Sequence, residues 1–295
     1  MKIRNLIYSI RRRFQIVSYN IFGSIIMSKV YFRLVMHEKL NLSSPKTFNA
    51  KIQLYKLKYC PNNELVIECT DKYRIRDYLQ KKRLSKYAVP CLGFWENADD
   101  IEWDALPNRF AIKCNHGCAY NIICKDKDLL DIKKATKRLK TWLKEDFGKY
   151  NAEPHYSKIK RGIVCEEYLG DGKSEFLVDY KVHCFNGKVK FVLICSGRAQ
   201  HSADYIYYDL NWNKLDFSKT ASPEFPMPKS FRKMIEISEH IALDFPFVRV
   251  DFYEIDEKPL IGELTFVPAG GLDNTITASA DLAMGDMLKM PSFND

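Results

Sequence analysis

Residues 248–266 carry the pattern that most narrows what this chain can become. They read Val248-Arg249-Val250-Asp251-Phe252-Tyr253, a polar break at Asp256-Glu257-Lys258, then Leu260-Ile261-Gly262-Glu263-Leu264-Thr265-Phe266. Strand side chains alternate between faces. A hairpin with its turn centred on Glu257 therefore places Asp251 opposite Glu263 and Arg249 opposite Thr265. Val248, Val250, Phe252, Leu260, Leu264 and Phe266 then share one face, the core. Arg249, Asp251, Glu263 and Thr265 share the other.

Two carboxylates directly opposite, with Cβ atoms about 5 Å apart, repel one another. A divalent cation between them removes that cost, and Mg²⁺ takes such hard oxygen ligands together with phosphate oxygens. The same four residues also fit a solvent-facing polar side on which Arg249 screens the acids.

A second hairpin is signalled by Asn186-Gly187 between the runs Asp179–Phe185 and Lys188–Cys195. Unbroken alternation puts Tyr180, Val182, Cys184, Val189, Phe191 and Leu193 on one face. Lys181, His183 and Lys190 fall on the other with Phe185, Val192 and Ile194. Lysines on a sheet face can hold phosphate as point charges, or can simply be solvated. A third candidate is Lys113 followed by Cys114-Asn115-His116-Gly117: a strand-ending lysine and a glycine turn whose free N–H groups can cradle phosphate. It is not a Walker loop, since no G-x-x-x-x-G-K-[ST] occurs.

Elsewhere the pattern predicts helix through much of residues 1–60, with a loop around Ser43-Ser44-Pro45. Further helices run from an N-cap at Thr70 to Arg83, from Asp126 or Asp128 to a stop at Gly148, and from Pro228 to Phe245. Short strands are expected at 109–113, 121–124 and 162–166. Strands and helices mix without strict alternation, which indicates an α+β architecture with mainly antiparallel sheet.

The chain has 295 residues, 46% of them hydrophobic, enough for one large domain or two smaller ones. Its net charge of +9 points to an anionic partner. No RNA-binding aromatic signature or zinc-finger spacing accompanies the charge, so no nucleic-acid partner is expected. Nine cysteines, an odd number with no C-x-x-C pair, suit reduced thiols in the cytoplasm. Cys114, His116 and Cys118 form a C-x-H-x-C cluster that matches no common zinc spacing, with Cys124 the nearest fourth ligand. Asp126-Lys127-Asp128 has the D-x-D form of some sugar-nucleotide transferases, and a helix start explains it more simply. At the N-terminus Arg11-Arg12-Arg13 precede an uncharged run from Phe14 to Ser28. That run is too short and polar to span a bilayer. It fits either a helix docked on the core or a basic amphipathic segment on an anionic membrane at the inner face.

In series, several stretches resemble the ATP-grasp superfamily, and within it the teichuronopeptide-biosynthesis (TupA-like) branch. They are Ser44-Pro45-Lys46-Thr47-Phe48-Asn49, Asp71-Lys72-Tyr73 with Arg76, Lys113-Cys114-Asn115-His116-Gly117, Glu166-Glu167-Tyr168-Leu169, Asp179-Tyr180-Lys181, Arg249-Val250-Asp251 and Gly262-Glu263-Leu264-Thr265. The resemblance implies an ATP-grasp fold, two α+β lobes holding ATP between them. Residues 1–85 would be an N-terminal helical segment, 86–165 the small lobe with the phosphate loop, and 166–295 the large lobe with the metal site.

It also implies roles. Lys72, Lys113 and Lys181, with the His116-Gly117 turn, would contact nucleotide phosphates. Glu166, Glu167, Tyr168 and Leu169 would form the adenine-reading hinge, through backbone groups of Glu166 and Leu169. Asp251 and Glu263 would hold Mg²⁺, and Arg249 would stabilise the transferring phosphoryl group. Two positions depart from the pattern. Cys118-Ala119 replaces a smaller, glycine-containing pair, and Thr265 stands where many ATP-grasp enzymes carry a metal-binding Asn, which weakens the case for a second metal.

The implied reaction is ATP-dependent joining of a carboxylate to an amine through an acyl phosphate. The acid would be a uronic acid of a surface polysaccharide (capsule, O-antigen or teichuronopeptide) or an amino-acid carboxylate, and the amine an amino acid or amino sugar. A glycosyltransferase of surface polysaccharide synthesis using Asp126-Lys127-Asp128, or a non-catalytic nucleotide-binding scaffold, are the competing expectations.

Overall fold

The computed structural model describes residues 2–170, 177–196, 204–220 and 222–293. The short apolar runs of the first half assemble as one sheet: β1 (Cys91–Trp95), β2 (Phe110–Cys114), β3 (Asn121–Cys124) and β4 (Ile163–Glu167). Their order is β1-β4-β2-β3, antiparallel throughout. Helix α5 (Ile132–Lys144) packs on this sheet, burying Ala135, Leu139 and Trp142. These residues recur at helical spacing and leave the lysines outside. Its N-cap is Asp131, whose carboxylate accepts from Lys134 N, so the helix begins later than Asp126 or Asp128. Asp126 instead caps a short turn over Lys127–Leu129 and accepts from Asp128 N, so the D-x-D triplet serves local structure.

The second sheet has six strands: β5 (Asp179–Phe185), β6 (Lys188–Ser196), β7 (Asp204–Tyr208), β8 (Lys214–Leu215), β9 (Phe247–Ile255) and β10 (Lys258–Thr265). They lie in the order β10-β9-β5-β6-β7-β8. Helix α6 (Phe231–Ala242) covers it with Phe231, Met234, Ile237 and Ile241. Helices α2 (Phe48–Leu54), α3 (Glu64–Thr70) and α4 (Ile75–Lys81) share that core through Phe48, Ile52, Val66, Ile75 and Leu79. Much of the expected N-terminal helical segment thus packs with the larger sheet. Thr70 ends α3 and bonds back to Val66 O; Asp71 caps the following turn, accepting from Tyr73 N and Arg74 N.

Both hairpins form, and each contains an irregularity that strict alternation hides. In the β9–β10 hairpin the turn residues Asp256 and Glu257 are both left-handed, with φ 48° and 62°. That two-residue turn pairs Ile261 with Phe252 and Leu260 with Tyr253. A bulge at Gly262 then shifts the register and sets Glu263 opposite Asp251 and Thr265 opposite Arg249. The buried partner of Phe252 is accordingly Ile261 and not Leu260. In the β5–β6 hairpin the register shifts between His183 and Cys184, so Lys190 bulges outward and is exposed. Lys181 and His183 share their face with Leu193 and Phe191, and Lys190 takes no part.

Candidate active site

The two sheets meet across a cleft of about 190 Å³ lined by Val89, Lys113, Glu166, Tyr168, Leu169 and Tyr253, among others. Sheet pairing fixes Lys113, Glu166 and Tyr253 among these. Lys113 and Glu166 lie on adjacent strands, and Lys113 Nζ is 2.5 Å from Glu166 Oε2. The other oxygen of Glu166 accepts from Arg76 Nη2 at 2.6 Å, while Arg76 Nη1 donates to Lys72 O at 2.6 Å. Glu166 is thus inside β4, with its side chain committed to two cations. Glu167 is the last residue of that strand, and Tyr168 and Leu169 follow in the connection toward β5.

The loop after β2 is held by Asn115. Its Nδ2 donates to Asp71 Oδ2 and to Lys160 O, both at 2.9 Å, and its Oδ1 accepts from Gly162 N at 2.8 Å. Lys72 N donates to Asn115 O at 3.3 Å, so this loop fixes the backbone that carries Lys72. Lys72 Nζ lies 3.7 Å from Glu263 Oε2. Burial works against the Lys72 charge, but Glu263, Cys118 and Asp71 outweigh it and raise its pKa. His116 does not reach the cleft. Its Nε2 lies 3.2 Å from Trp142 O, and burial followed by Arg161 lowers its pKa to about 4, which keeps the ring neutral. Gly117 is buried beneath Tyr120 and Phe147, where any Cβ would come within 2.9 Å of either ring. The C-x-H-x-C cluster is dispersed: Cys114 is buried in β2, His116 turns to Trp142, and Cys118 Sγ lies 3.6 Å from the Tyr156 hydroxyl.

At one end of the cleft a buried ionic chain runs across β5 and β9. Asp179 Oδ2 is 3.3 Å from Lys181 Nζ, which donates to Asp251 Oδ2 at 2.6 Å. Arg249 grips Asp251 with Nε and Nη2, and Nη2 also donates to Thr265 Oγ1 at 3.1 Å. Burial pushes the Asp251 carboxyl up, but Arg249 and Lys181 overcome that and hold it at about 2. The expected mutual repulsion of Asp251 and Glu263 is therefore absent as a net effect, because each anion faces lysine or arginine. Asp251 Oδ1 accepts one hydrogen bond and retains a lone pair. Glu263 is partly exposed. Two hard carboxylate oxygens opposite one another fit a divalent cation that also takes phosphate oxygens.

Beyond Lys181 and Arg249 opens a second cavity of about 370 Å³, lined also by His183, Tyr205, Tyr207 and Asp273. One wall is the loop Pro268–Gly271, in which Ala269, Gly270 and Gly271 are all left-handed, with φ 49°, 66° and 70°. Three buried side chains on one face of the helical run from α2 brace this region. Asn49 exchanges bonds with the Asp273 backbone, Gln53 Nε2 donates to Gly270 O and Gly271 O, and Lys56 Nζ donates to Gly270 O and Asn151 O. The spacing 49, 53, 56 is one helical stripe. Reading by sequence assigned no role to this brace, to Arg76 or to Asn115. The only signal available was polar residues at otherwise apolar helical positions.

The sequence profile of a family described as TupA-like ATPgrasp matches residues 50–289. The chain belongs to the TupA-like ATP-grasp family. The cleft between its sheets is where the resemblance of these motifs to that family placed nucleotide. No curated protein gives a significant match. Among solved structures, this ATP-grasp chain is similar to D-alanine–D-alanine ligase from Bacillus anthracis complexed with ATP (16% identity, TM-score 0.46, covering 75% of this chain and 63% of that one). It is also similar to an L-amino acid ligase from Bacillus licheniformis (14% identity, TM-score 0.48, covering 76% and 51%). The ATP-grasp chain spans less than two thirds of the length of either ligase.

Proposed function

We propose that this ATP-grasp protein is an ATP-dependent carboxylate–amine ligase working through an acyl phosphate. The observation that supports it best is the continuous ionic chain Asp179–Lys181–Asp251–Arg249, which joins the 190 Å³ cleft to the 370 Å³ cavity. ATP occupies the first space and the acid and amine the second, so the γ-phosphoryl group and the carboxylate meet over Lys181 and Arg249.

In the first half-reaction a carboxylate oxygen attacks the γ-phosphorus, the bond to ADP breaks, and an acyl phosphate forms. In the second the amine attacks the acyl carbon, the C–N bond forms, phosphate departs and the amine loses a proton. Phosphoryl transfer asks the protein chiefly for alignment and charge neutralisation. Lys113 lines the cleft and Lys72 stands beside Glu263; both would serve as phosphate contacts, each now held by a glutamate. Arg249, its guanidinium plane fixed by Asp251, presents positive charge to the transferring group. Asp251 and Glu263 are the residues that would hold Mg²⁺, which when bound neutralises phosphate charge.

The family resemblance extends the reading to a saccharide substrate: a uronic acid or other carboxylate of surface polysaccharide synthesis, joined to an amino acid or amino sugar. Hydroxylamine trapping tests the reaction class. With ATP, Mg²⁺ and a panel of uronic acids and N-acetylated amino acids but no amine other than hydroxylamine, a hydroxamate is expected together with ADP. ADP formation with a phosphorylated sugar hydroxyl and no hydroxamate would make the protein a kinase and overturn the ligase reading.

A further inference from the structure

Helix α1 (Lys2–Met36), broken at Gly23 (φ 72°), uses one side for its own protein. Before the break, Arg12 pairs with Glu145, Gln15 Nε2 donates to Tyr150 O at 2.9 Å, and Lys149 Nζ donates to Asn20 Oδ1 at 2.9 Å. After it, Met27 and Phe32 are buried, Phe32 against Leu40 and Ala50. The helix is therefore firmly placed, and its outward side is not an accident of a loose end.

That outward side is apolar. Phe14, Val17 and Ile21 follow at helical spacing, and Phe14 and Ile21 are 70% and 68% exposed. Beyond the break Ile25, Ile26, Val30 and Leu34 are exposed as well. Of the fifteen large hydrophobics exposed among the described residues, nine lie on this one helix. Such a concentration marks an interaction surface, whereas singly scattered apolar residues do not.

Charge identifies the occupant. Residues 1–37 contain seven Lys and Arg and no Asp or Glu. Helix α5, against whose end α1 docks, carries six Lys and Arg and no acid over Ile132–Lys144. Between the two helices lies a cavity of about 450 Å³ lined by Ile16, Lys140, Lys144 and Lys149. The acids at its rim are engaged, Glu145 by Arg12 and Asp146 by Ser157. A second copy of this face would bring like charge against like charge. No helix among the described residues is long and apolar enough to cross a membrane. An apolar row bordered by basic residues on two helices matches an anionic bilayer surface, with the row at the acyl boundary and the lysines among headgroups.

We propose that α1 and α5 together seat this protein on an anionic lipid surface, peripherally and reversibly. The proposal stands on this face alone and does not depend on the reaction at the cleft. The test is sedimentation of the full chain with vesicles of phosphatidylcholine alone or with 30 mol% phosphatidylglycerol, in low and high salt. Thermal melting of each variant is followed in parallel. Pelleting is expected only with the anionic vesicles and is reversed by salt, because exposed charges are screened. Phe14→Ser/Ile21→Ser, at exposed positions, is expected to weaken binding at least ten-fold with an unchanged melting temperature. Lys137→Gln/Lys144→Gln should weaken it roughly thirty-fold, two basic residues' share of the surface attraction. Equal pelleting with neutral vesicles, no pelleting, or wild-type binding by Phe14→Ser/Ile21→Ser would each overturn the proposal. So would a dimer, seen by sedimentation velocity, that this same pair of changes dissolves while lipid binding is absent.

Discussion

Arg249 closes on Asp251 through two parallel hydrogen bonds, Nε to Oδ1 and Nη2 to Oδ2, both 2.7 Å. Lys181 adds a third at 2.6 Å; Lys181 and Asp251 are buried and Arg249 is largely so. This makes the two acids of the hairpin unequal. Asp251→Asn strips the anion from two buried cations, and breaking a buried pair of this kind costs about 3–5 kcal/mol. Glu263→Gln removes a partly exposed group 3.7 Å from a single lysine and should cost less than about 1 kcal/mol. Both variants are expected to lose ATP turnover, but only Asp251→Asn should lower the melting temperature substantially. Equal melting temperatures, or turnover retained in both, would contradict the assignment.

The brace on the Pro268–Gly271 loop gives a second expectation. Lys56 has no exposed surface and bonds Gly270 O at 3.1 Å and Asn151 O at 3.2 Å. Lys56→Met keeps the aliphatic length, takes the Lys56 donor from Asn151 O and leaves Gly270 O to Gln53 alone, a loss of about 1–3 kcal/mol by denaturant titration. It should also raise the KM of the non-nucleotide substrate more than that of ATP, since the loop walls only the second cavity. An unchanged midpoint in urea would remove the brace from the account.

Acid sensitivity follows from three buried histidines. Burial lowers His116 to about 4, and His155 and His183 to about 3; the next cause is Arg161 for His116, Lys56 for His155 and Arg249 for His183. The unfolded chain protonates each near its ordinary value of about 6.5, while the native state stays neutral until much lower pH. Their contribution to stability is therefore full above pH 6.5 and declines as pH falls from there toward 4, offset in part by Glu153, whose carboxyl burial raises to about 7. The slope approaches about 4 kcal/mol per pH unit when all three sites differ. Asp251 adds a separate loss only below about pH 4, as its carboxyl is titrated toward its folded value of about 2. Urea midpoints at pH 7.5, 6 and 5 check this; a flat series would show that the rings titrate normally.

Helix α7 (Ala278–Met287) supplies a purely steric prediction. A Cβ at Gly285 would lie 2.1 Å from Lys46 O and 2.9 Å from Thr47 C, both backbone atoms at the start of α2. Gly285→Ala must push α7 off that backbone, at a cost of about 3 kcal/mol, the upper range for overpacking. Replacement by alanine at Gly187, where the nearest atom is Leu243 Cδ2 at 3.7 Å, should cost less despite its φ of 83°. Equal losses would show that backbone contact is not what fixes Gly285.

Local pattern explains what could be read in the sequence. Asn186-Gly187 and the alternation around Asp251 and Glu263 depend on residues within a few positions, and both hairpins formed where expected. Asp251 meets Glu263 through a two-residue turn plus a bulge at Gly262, which together restore the pairing that a turn centred on Glu257 would give. Alternation cannot reveal a bulge, so strict alternation puts Leu260 and the run from Lys190 to Ile194 on the wrong faces. Asn49, Gln53 and Lys56 were illegible for a different reason. Their partners lie more than two hundred positions away, except Asn151, and nothing local distinguishes a buried bracing lysine from a solvated one.

The break at Gly23 divides α1 between two owners. The turns before it are bonded to Glu145 and Tyr150 beside the four-stranded sheet, and those after it rest on Ala50 beside the six-stranded one. The helix thus bridges the surroundings of both sheets, and its one non-helical residue sets the angle between the two docked halves.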